Sequence, residues 1–193
     1  MLDKWLARLR QEDGTTHAVV HGIPTTVVNT RPDIDTAHVL ARLDEACALI
    51  ERYTPYYFRH LRRDFAGFDV RRYACRGAYF FETRQCLVEL TFTVNPRHTL
   101  PEIAATILHE GMHARLHALG FPLEMEDRAR QERFCRKAEI EFGRLVPGGD
   151  VVLARAEATL AFDDEEVAPM IDWQLAERRI AAADAAARRP DRA

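Results

Sequence analysis

The stretch between Thr99 and Pro122 constrains the fold most, because it predicts a helix that is apolar around most of its circumference. Thr99 and Glu102 form a capping box at its start, and Gly120 followed by Pro122 is a stop signal at its end. At 100° per residue, one arc of about 100° collects the polar side chains; they are Glu102, Thr106, His109, Glu110, His113 and His117. Such a helix is expected to be buried, with its narrow polar strip facing a cleft.

The rest of the chain alternates between helical and extended patterns. Before the long helix, these patterns predict a helix over 1–14, two strands in 16–29 around a Gly-Ile-Pro turn, helices over 33–53 and 54–65, and strands over 73–82 and 85–95 joined at Thr83 to Gln85. After it, they predict helices over about 123–145, 150–161 and 169–188. In 33–53 the apolar residues recur at helical spacing; they are Val39, Leu40, Leu43, Ala46, Cys47 and Ile50. Thr54 is the expected N-cap of the next helix, with Pro55 at its first position.

Composition limits the classes of protein to consider. The net charge of −3 argues against a nucleic-acid partner. The four cysteines form no C-x-x-C pair, which argues against a zinc knuckle or a disulfide framework. No signal peptide is evident and no stretch is long enough to span a membrane, so a cytoplasmic protein is expected, although a substrate of a leaderless secretion system would have the same composition.

The polar strip of the long helix contains the pattern H-E-x-x-H, from His109 to His113. Residues i and i+4 lie one above the other on a helix, so both imidazoles can reach one zinc ion at about 2.0–2.1 Å. Glu110 points from the same strip and can act as general base on a metal-bound water without binding the metal. The alternative is a histidine pair that is hydrogen-bonded or faces solvent.

His117 lies one further turn along the helix and is not expected to be the third ligand. In an unbroken helix it is about 12 Å from His109 along the axis, too far for one small ion that also binds His113. Its side chain is expected to line the cleft or to lie on the surface.

The next predicted helix offers carboxylates for the third position. Glu132 shares a helix face with Met125, Ala129, Cys135 and Glu139. H-E-x-x-H, a turn and then a glutamate about twenty residues on resembles the layout of gluzincin-like metallopeptidases. Residues 131–147, QERFCRKAEIEFGRLVP, are similar to the E-x-x-A-x-x-F-A-x-x-L-x-x-P segment of ImmA/IrrE-type peptidases, with Cys135 where alanine is usual and Arg136 where asparagine is frequent. The resemblance covers about residues 86–147.

The resemblance implies an α+β, minimal zincin-like fold. Such a fold has a small, twisted, mainly antiparallel sheet packed on the active-site helix, an edge strand beside that helix, and a helical C-terminal part. It implies Glu132 as the third zinc ligand. Glu139, one heptad on, is either the rival ligand or a residue that orients a ligating histidine. The chain would be one domain over 1–193, with a mixed part in 1–98, the metal-binding helix pair in 99–147 and a helical tail in 148–193.

The expected function is that of a zinc-dependent metallopeptidase. Glu110 would take a proton from the water and deliver it to the leaving amine. Four side chains are candidates for stabilising the oxyanion: Tyr73, Tyr79, His98 and His117. If LVELTFT, residues 87–93, is the edge strand beside the cleft, an extended polypeptide substrate could pair with it.

Two other functions stay open. One is a non-catalytic binding or regulatory module that keeps a zincin fold and a structural zinc. The other is a metal-dependent hydrolase of a non-peptide amide. The expected partners are a polypeptide substrate and a regulatory protein that supplies specificity, with no nucleic acid and no membrane.

Overall fold

One mixed sheet organises the part of the chain that the computed structural model describes, namely residues 10–12, 14–122, 127–168 and 172–187. Its six strands in these ranges are β1 (Arg10–Glu12), β2 (Thr15–Val20), β3 (Ile23–Val28), β4 (Gly67–Arg71), β5 (Gly77–Phe80) and β6 (Gln85–Glu89). The spatial order is β1-β2-β3-β4-β6-β5. β3–β4 and β4–β6 are parallel pairs, whereas β1–β2, β2–β3 and β5–β6 are antiparallel.

Eight helices accompany the sheet in the same described ranges. They are α1 (Thr36–Tyr53), α2 (Pro55–Asp64), α3 (Leu90–Val94), α4 (Leu100–Ala118), α5 (Arg128–Leu145), α6 (Asp150–Leu160), α7 (Asp164–Val167) and α8 (Trp173–Ala187). The fold class is therefore α+β, as expected from the sequence, and antiparallel pairs are in the majority, although the two parallel pairs of β4 make the sheet mixed. None of the described helices combines the length and apolar character that a bilayer crossing requires.

The predicted hairpin near the N-terminus is present, with a different turn. His21 and Gly22 both have positive φ, 49° and 83°, which is the backbone of the two-residue type I′ turn that suits the twist of a hairpin. Ile23 and Pro24, which were expected in the turn, already belong to β3. Residues 10–12 form β1 rather than the end of a helix, and the remainder of that predicted helix, 1–9, lies outside the described residues.

Helices α1 and α2 follow the sequence pattern closely. The six buried residues of α1 are those predicted from helical spacing: Val39, Leu40, Leu43, Ala46, Cys47 and Ile50. Pro55 opens α2, as expected. Thr54 stands at the N-cap but makes no capping bond; its hydroxyl donates instead to the carbonyl oxygen of Ile50 at 3.1 Å.

The helix α4 is the central element, packed against α1, α2, α5, α6 and strands β5 and β6. Its capping box is present, with the Thr99 hydroxyl accepting from the Glu102 amide and the Glu102 carboxylate accepting from the Thr99 amide. It ends in a Schellman motif in which Gly120 has φ 72°. The Gly120 amide donates to the His117 carbonyl, and the Phe121 amide donates to the Leu116 carbonyl. Its expected burial is confirmed.

Three extended segments differ from the sequence-based expectation. The predicted strand over 85–95 ends at Glu89, because the Glu89 carboxylate accepts from the Phe92 amide at 2.7 Å and caps the short helix α3. β4 was not predicted. β6 lies between β4 and β5, so LVELTFT is not the edge strand; the edge beside α4 is β5.

The C-terminal part is helical, as expected. α5 begins at Arg128, and the residues 123–126 of its predicted start lie outside the described ranges. α6 and α8 correspond to the two predicted tail helices, and α7 is an addition. The α8 carboxylate of Asp184 accepts from Arg72 at 2.8 Å and lies 3.5 Å from Arg31, which ties this helix to the sheet side of the molecule.

Candidate metal site

The helices α4 and α5 pack against each other and bring the predicted ligands together. His109 and His113 lie one turn apart on α4, and their ring centroids are 5.0 Å apart. Nε2 of His109 is 3.2 Å from Glu132 Oε2, and Nε2 of His113 is 3.4 Å from Glu132 Oε1. The side chains of all three are largely buried. The three residues predicted as metal ligands therefore face one point between the two helices.

The spacing of these atoms suits donors that share an ion. A charge-assisted N–H···O bond is about 2.7–2.9 Å long, shorter than either of the two separations. Donors bound at about 2.0–2.1 Å around a tetrahedral ion are about 3.3 Å from one another, which is close to both. Two imidazole nitrogens and a carboxylate are also a ligand set of the kind that zinc accepts in proteins. The residues of this site therefore fit a metal ion.

Glu139 contacts the opposite nitrogen of His109. Its Oε1 lies 2.7 Å from His109 Nδ1 and also accepts from Arg136 Nη1 at 2.7 Å, while Oε2 accepts from Arg155 Nη2 at 3.4 Å. Burial alone would raise the pKa of this carboxyl, but His109 and the two arginines outweigh it and lower the pKa to about 2. The position of Glu139 favours the orienting role over that of a rival ligand.

The pKa values of His109 and Glu132 reflect the contacts between the two helices. Burial lowers the pKa of His109, but its bonds to Glu132 and Glu139 more than offset this and raise the pKa to about 10. Burial acts on Glu132 in the opposite sense, yet His109 and His113 hold its pKa far below the usual range. The cluster thus carries concentrated negative charge around two imidazoles, an arrangement that favours a cation.

Glu110 lies beside this cluster, buried under strand β5. Its pKa is raised because burial, and after it the charges of Glu132 and Glu139, outweigh the attraction of the two histidines. A Cβ built on Gly77 of β5 would lie 2.7 Å from Thr106 Cγ2 and 3.1 Å from Glu110 Oε1. Glycine is therefore required at this place for the strand to approach the helix, and the approach fixes Glu110 at the wall of the site.

Cys135 adds a sulfur to the cluster. Ligand atoms of His109, His113 and Cys135 all lie within 4.8 Å of one another, and these three form a candidate metal-binding group among the described residues. Burial, followed by the charge of nearby Glu132, raises the pKa of the thiol well above its usual value. From the sequence, Cys135 was expected on the same helix face as Glu132 but was assigned no role. Its i, i+3 spacing from Glu132 is the signal that could have identified it as a candidate ligand.

The cluster opens into a cavity of about 710 Å³. One wall is β5, from Gly77 to Phe80, and another carries Tyr73 and Trp173, whose rings are 5.4 Å apart. Of the four candidates for stabilising an oxyanion, Tyr73 and Tyr79 line this cavity, whereas His98 and His117 are not among its lining residues.

His117 and His98 have their partners away from His109 and His113. His117 Nδ1 is 3.2 Å from the Tyr79 hydroxyl, and its ring packs edge-on against Phe81. His98 lies beside Glu102 at 3.4 Å. His117 is thus a half-buried residue that packs against Tyr79 and Phe81 and lies outside the predicted ligand cluster.

Sequence reasoning missed the residues that support the cluster. Arg136 and Arg155 hold Glu139. Gln131, which also lines the cavity, donates to the Pro122 carbonyl at 2.6 Å and so ties α5 to the residues that follow α4. Arg155 comes from α6, outside the helix pair. Its pairing with Glu139 depends on how α6 docks, and the sequence carries no local signal for this.

No family model, curated protein or solved structure matches this chain. The fold and site define an α+β protein with a buried cluster of histidine, carboxylate and thiol groups at the floor of a cavity.

Proposed function

We propose that this protein is a zinc-dependent hydrolase of peptide bonds, with a minimal zincin-like arrangement of helix α4 and the sheet. The observation that carries the proposal is the position of Glu110: a buried carboxyl at the cavity wall, on the same helix strip as His109 and His113 and next to Glu132. A purely structural metal site has no need of such a base.

His109, His113 and Glu132 would hold the zinc ion, and the ion would supply Lewis acidity that polarises a carbonyl and acidifies water. Glu139 accepts from His109 Nδ1–H, which would leave Nε2 of His109 to bind the ion. Arg136 and Arg155 keep Glu139 charged for this purpose. Glu110 takes the proton of the attacking water and delivers it to the leaving amine.

The edge of β5 supports a peptide as substrate. β5 pairs with β6 along one edge, and among the described strands no other strand pairs with it. The strand lines the cavity directly above Glu110. An extended polypeptide could add to this open edge through main-chain hydrogen bonds, which would lay its backbone across the site.

Elemental analysis of the purified protein tests the metal site first. We expect about one zinc per chain in the wild type and its loss in His113→Ala. His117→Ala is the matched control, because it removes a histidine from the same helix without touching the cluster and should keep the zinc. A wild type that remains metal-free after incubation with zinc would contradict the proposal.

Hydrolysis of a mixed peptide library tests the chemistry. Glu110→Gln should retain zinc but lose activity by a factor of about 10²–10⁴, the range typical of general acid–base catalysis. Equal turnover by the wild type and Glu110→Gln would show that Glu110 is not the base.

A non-catalytic module with a structural metal is the second candidate, favoured by the sulfur of Cys135, since four protein donors would close the coordination sphere. In that case Glu110→Gln would bind zinc as the wild type does, and neither protein would hydrolyse peptides. Hydrolysis of amides other than peptide bonds by the wild type, lost in Glu110→Gln, would identify the non-peptide alternative.

A further inference from the structure

Cys135 stands in the middle of α5, one turn after Glu132, and its side chain is fully buried. Residues three apart on a helix share a face, so the sulfur and the Glu132 carboxylate are presented to α4 together. The sulfur lies within 4.8 Å of a ring nitrogen of both His109 and His113. Side chains this close can converge on one ion after small rotations, so the sulfur is a further candidate donor to an ion held by His109 and His113.

The surroundings of Cys135 differ from those of the other cysteines. Cys47 and Cys86 are buried in the apolar core, on α1 and β6. Cys75 lies in the cavity wall, where its thiol donates to the Gly77 carbonyl at 3.0 Å. A buried cysteine in a core is a small apolar residue, whereas Cys135 is enclosed by metal-ligand groups.

Thiolate is among the preferred ligands of zinc, at about 2.3 Å, and it is readily combined with imidazole and carboxylate. Four protein donors are typical of closed structural sites, and three donors with one open position are typical of catalytic sites. Whether the sulfur binds the ion therefore determines whether the site has four protein ligands and is closed, or three and an open position.

We propose that Cys135 is a fourth ligand, so that the resting ion is held by His109, His113, Glu132 and Cys135, and that substrate gains access only when the sulfur is displaced. The proposal rests on the metal site of the proposed function and adds its regulation. Coordination releases the thiol proton to solvent, and displacement of the sulfur returns one proton to it, so no oxidant or reductant is needed.

Cobalt(II) substitution tests the proposal without reference to activity. A cobalt–thiolate bond gives a strong near-ultraviolet charge-transfer absorption that nitrogen and oxygen donors do not give. We expect this absorption in the cobalt-loaded wild type and in Cys86→Ala, which removes an equally buried cysteine from the core. It should be absent in Cys135→Ala and in Cys135→Ser, the nearly isosteric variant that guards against misfolding.

Affinity provides a second readout. Competition with a chelator should show zinc bound more weakly in Cys135→Ala, at least on the order of the 10–100-fold that loss of an outer partner of a ligand causes. Cobalt bound at one per chain without the absorption would overturn the proposal and leave the metal site standing. An absorption that disappears in Cys75→Ala and persists in Cys135→Ala would overturn it as well.

Failure of the proposed function has a different signature. If cobalt does not bind to the wild type, or binds equally to His113→Ala, the metal site itself is wrong and the role of Cys135 falls with it. If the absorption is present and depends on Cys135 while Glu110→Gln is as active as the wild type, the ligand is established and the general base is not.

Discussion

Gly111, inside the H-E-x-x-H pattern, has a role in packing rather than in chemistry. A Cβ built at this position would overlap Leu61 Cδ2, where α2 crosses α4. Gly111→Ala should therefore destabilise the protein by about 1–3 kcal/mol, the usual cost of overpacking, even though alanine favours helix. Urea unfolding measures the difference.

Truncation of Leu61 provides the control for this prediction. Leu61→Ala alone should cost about 2–5 kcal/mol because it leaves a cavity. In the double variant the new methyl group enters that cavity, so the combined loss should be smaller than the sum of the two. Additive losses would show that the contact between α2 and α4 does not restrict residue 111.

His21 joins the hairpin turn to α1 through two carboxylates. Its Nδ1 is 3.0 Å from Asp44 and its Nε2 is 2.9 Å from Glu51. Burial lowers the pKa of His21, but these two partners outweigh it and the pKa lies above its usual value. Because the folded state binds the proton more tightly, the stabilisation is fully present below the unfolded pKa of about 6.5 and is lost as the pH rises through the folded pKa.

Stability measured against pH checks this linkage. His21→Ala should lose more stability relative to the wild type at about pH 5.5 than at about pH 9, by no more than about 1 kcal/mol, since Glu51 is half exposed. His17→Ala is the control, because His17 is on the same hairpin but contacts the hydroxyl of Thr26. An equal loss at both pH values would contradict the role of His21.

Among the helices, α4 depends on its first turn. The Thr99–Glu102 capping box satisfies two amides at the N-terminus of the helix that carries the candidate metal site. Thr99→Ala should cost about 1 kcal/mol of the free energy of unfolding. Thr83→Ala, in the exposed β5–β6 turn, should change it by less than about 0.5 kcal/mol. Equal effects of the two substitutions would mean that the cap is not formed in solution.

Sequence patterns predicted those elements that depend on local signals. The buried face of α1 and the capping box of α4 are examples, because helical spacing and capping act within a few residues. β4 was missed because Gly67, Asp69 and Arg71 make it read as a polar segment, although Asp69 is buried and paired with Arg71 at 2.7 Å. The alternation in 90–94 predicted a strand, and the cap supplied by Glu89 overrides it.

The same distinction applies to the candidate site: residues on one helix could be predicted from the sequence, and contacts between separate elements could not. His109, Glu110 and His113 share one helix, so their common direction follows from spacing alone. Glu132 required a resemblance to be singled out, and the contact of Glu139 with the far nitrogen of His109 required the packing of α4 on α5. Residues from separate elements meet only after the tertiary structure is known.

At the scale of the whole molecule, α8 is attached by few contacts. Asp184 is its only buried residue among those described, and it pairs with Arg72 and Arg31. Asp184→Asn should weaken this attachment and increase hydrogen exchange of the α8 amides about tenfold, which corresponds to 1.4 kcal/mol. The exposed Glu177→Gln, on the same helix, should leave exchange unchanged. Unaltered exchange in Asp184→Asn would mean that Trp173, packed on Tyr73, holds the helix.

Because β4 pairs in parallel on both sides, neither of its ladders can nucleate from a tight turn. The hairpins β2–β3 and β5–β6 are local and can close early, whereas β4 takes its place only after the segment of α1 and α2 has been ordered. Until then β3 and β6 each present an unpaired edge to neighbouring chains, and Val27 and Val88, which are buried in the folded protein, are exposed there. Slow insertion of β4 between β3 and β6 is therefore the folding step during which refolding competes with aggregation. Dilution should favour recovery of the native protein.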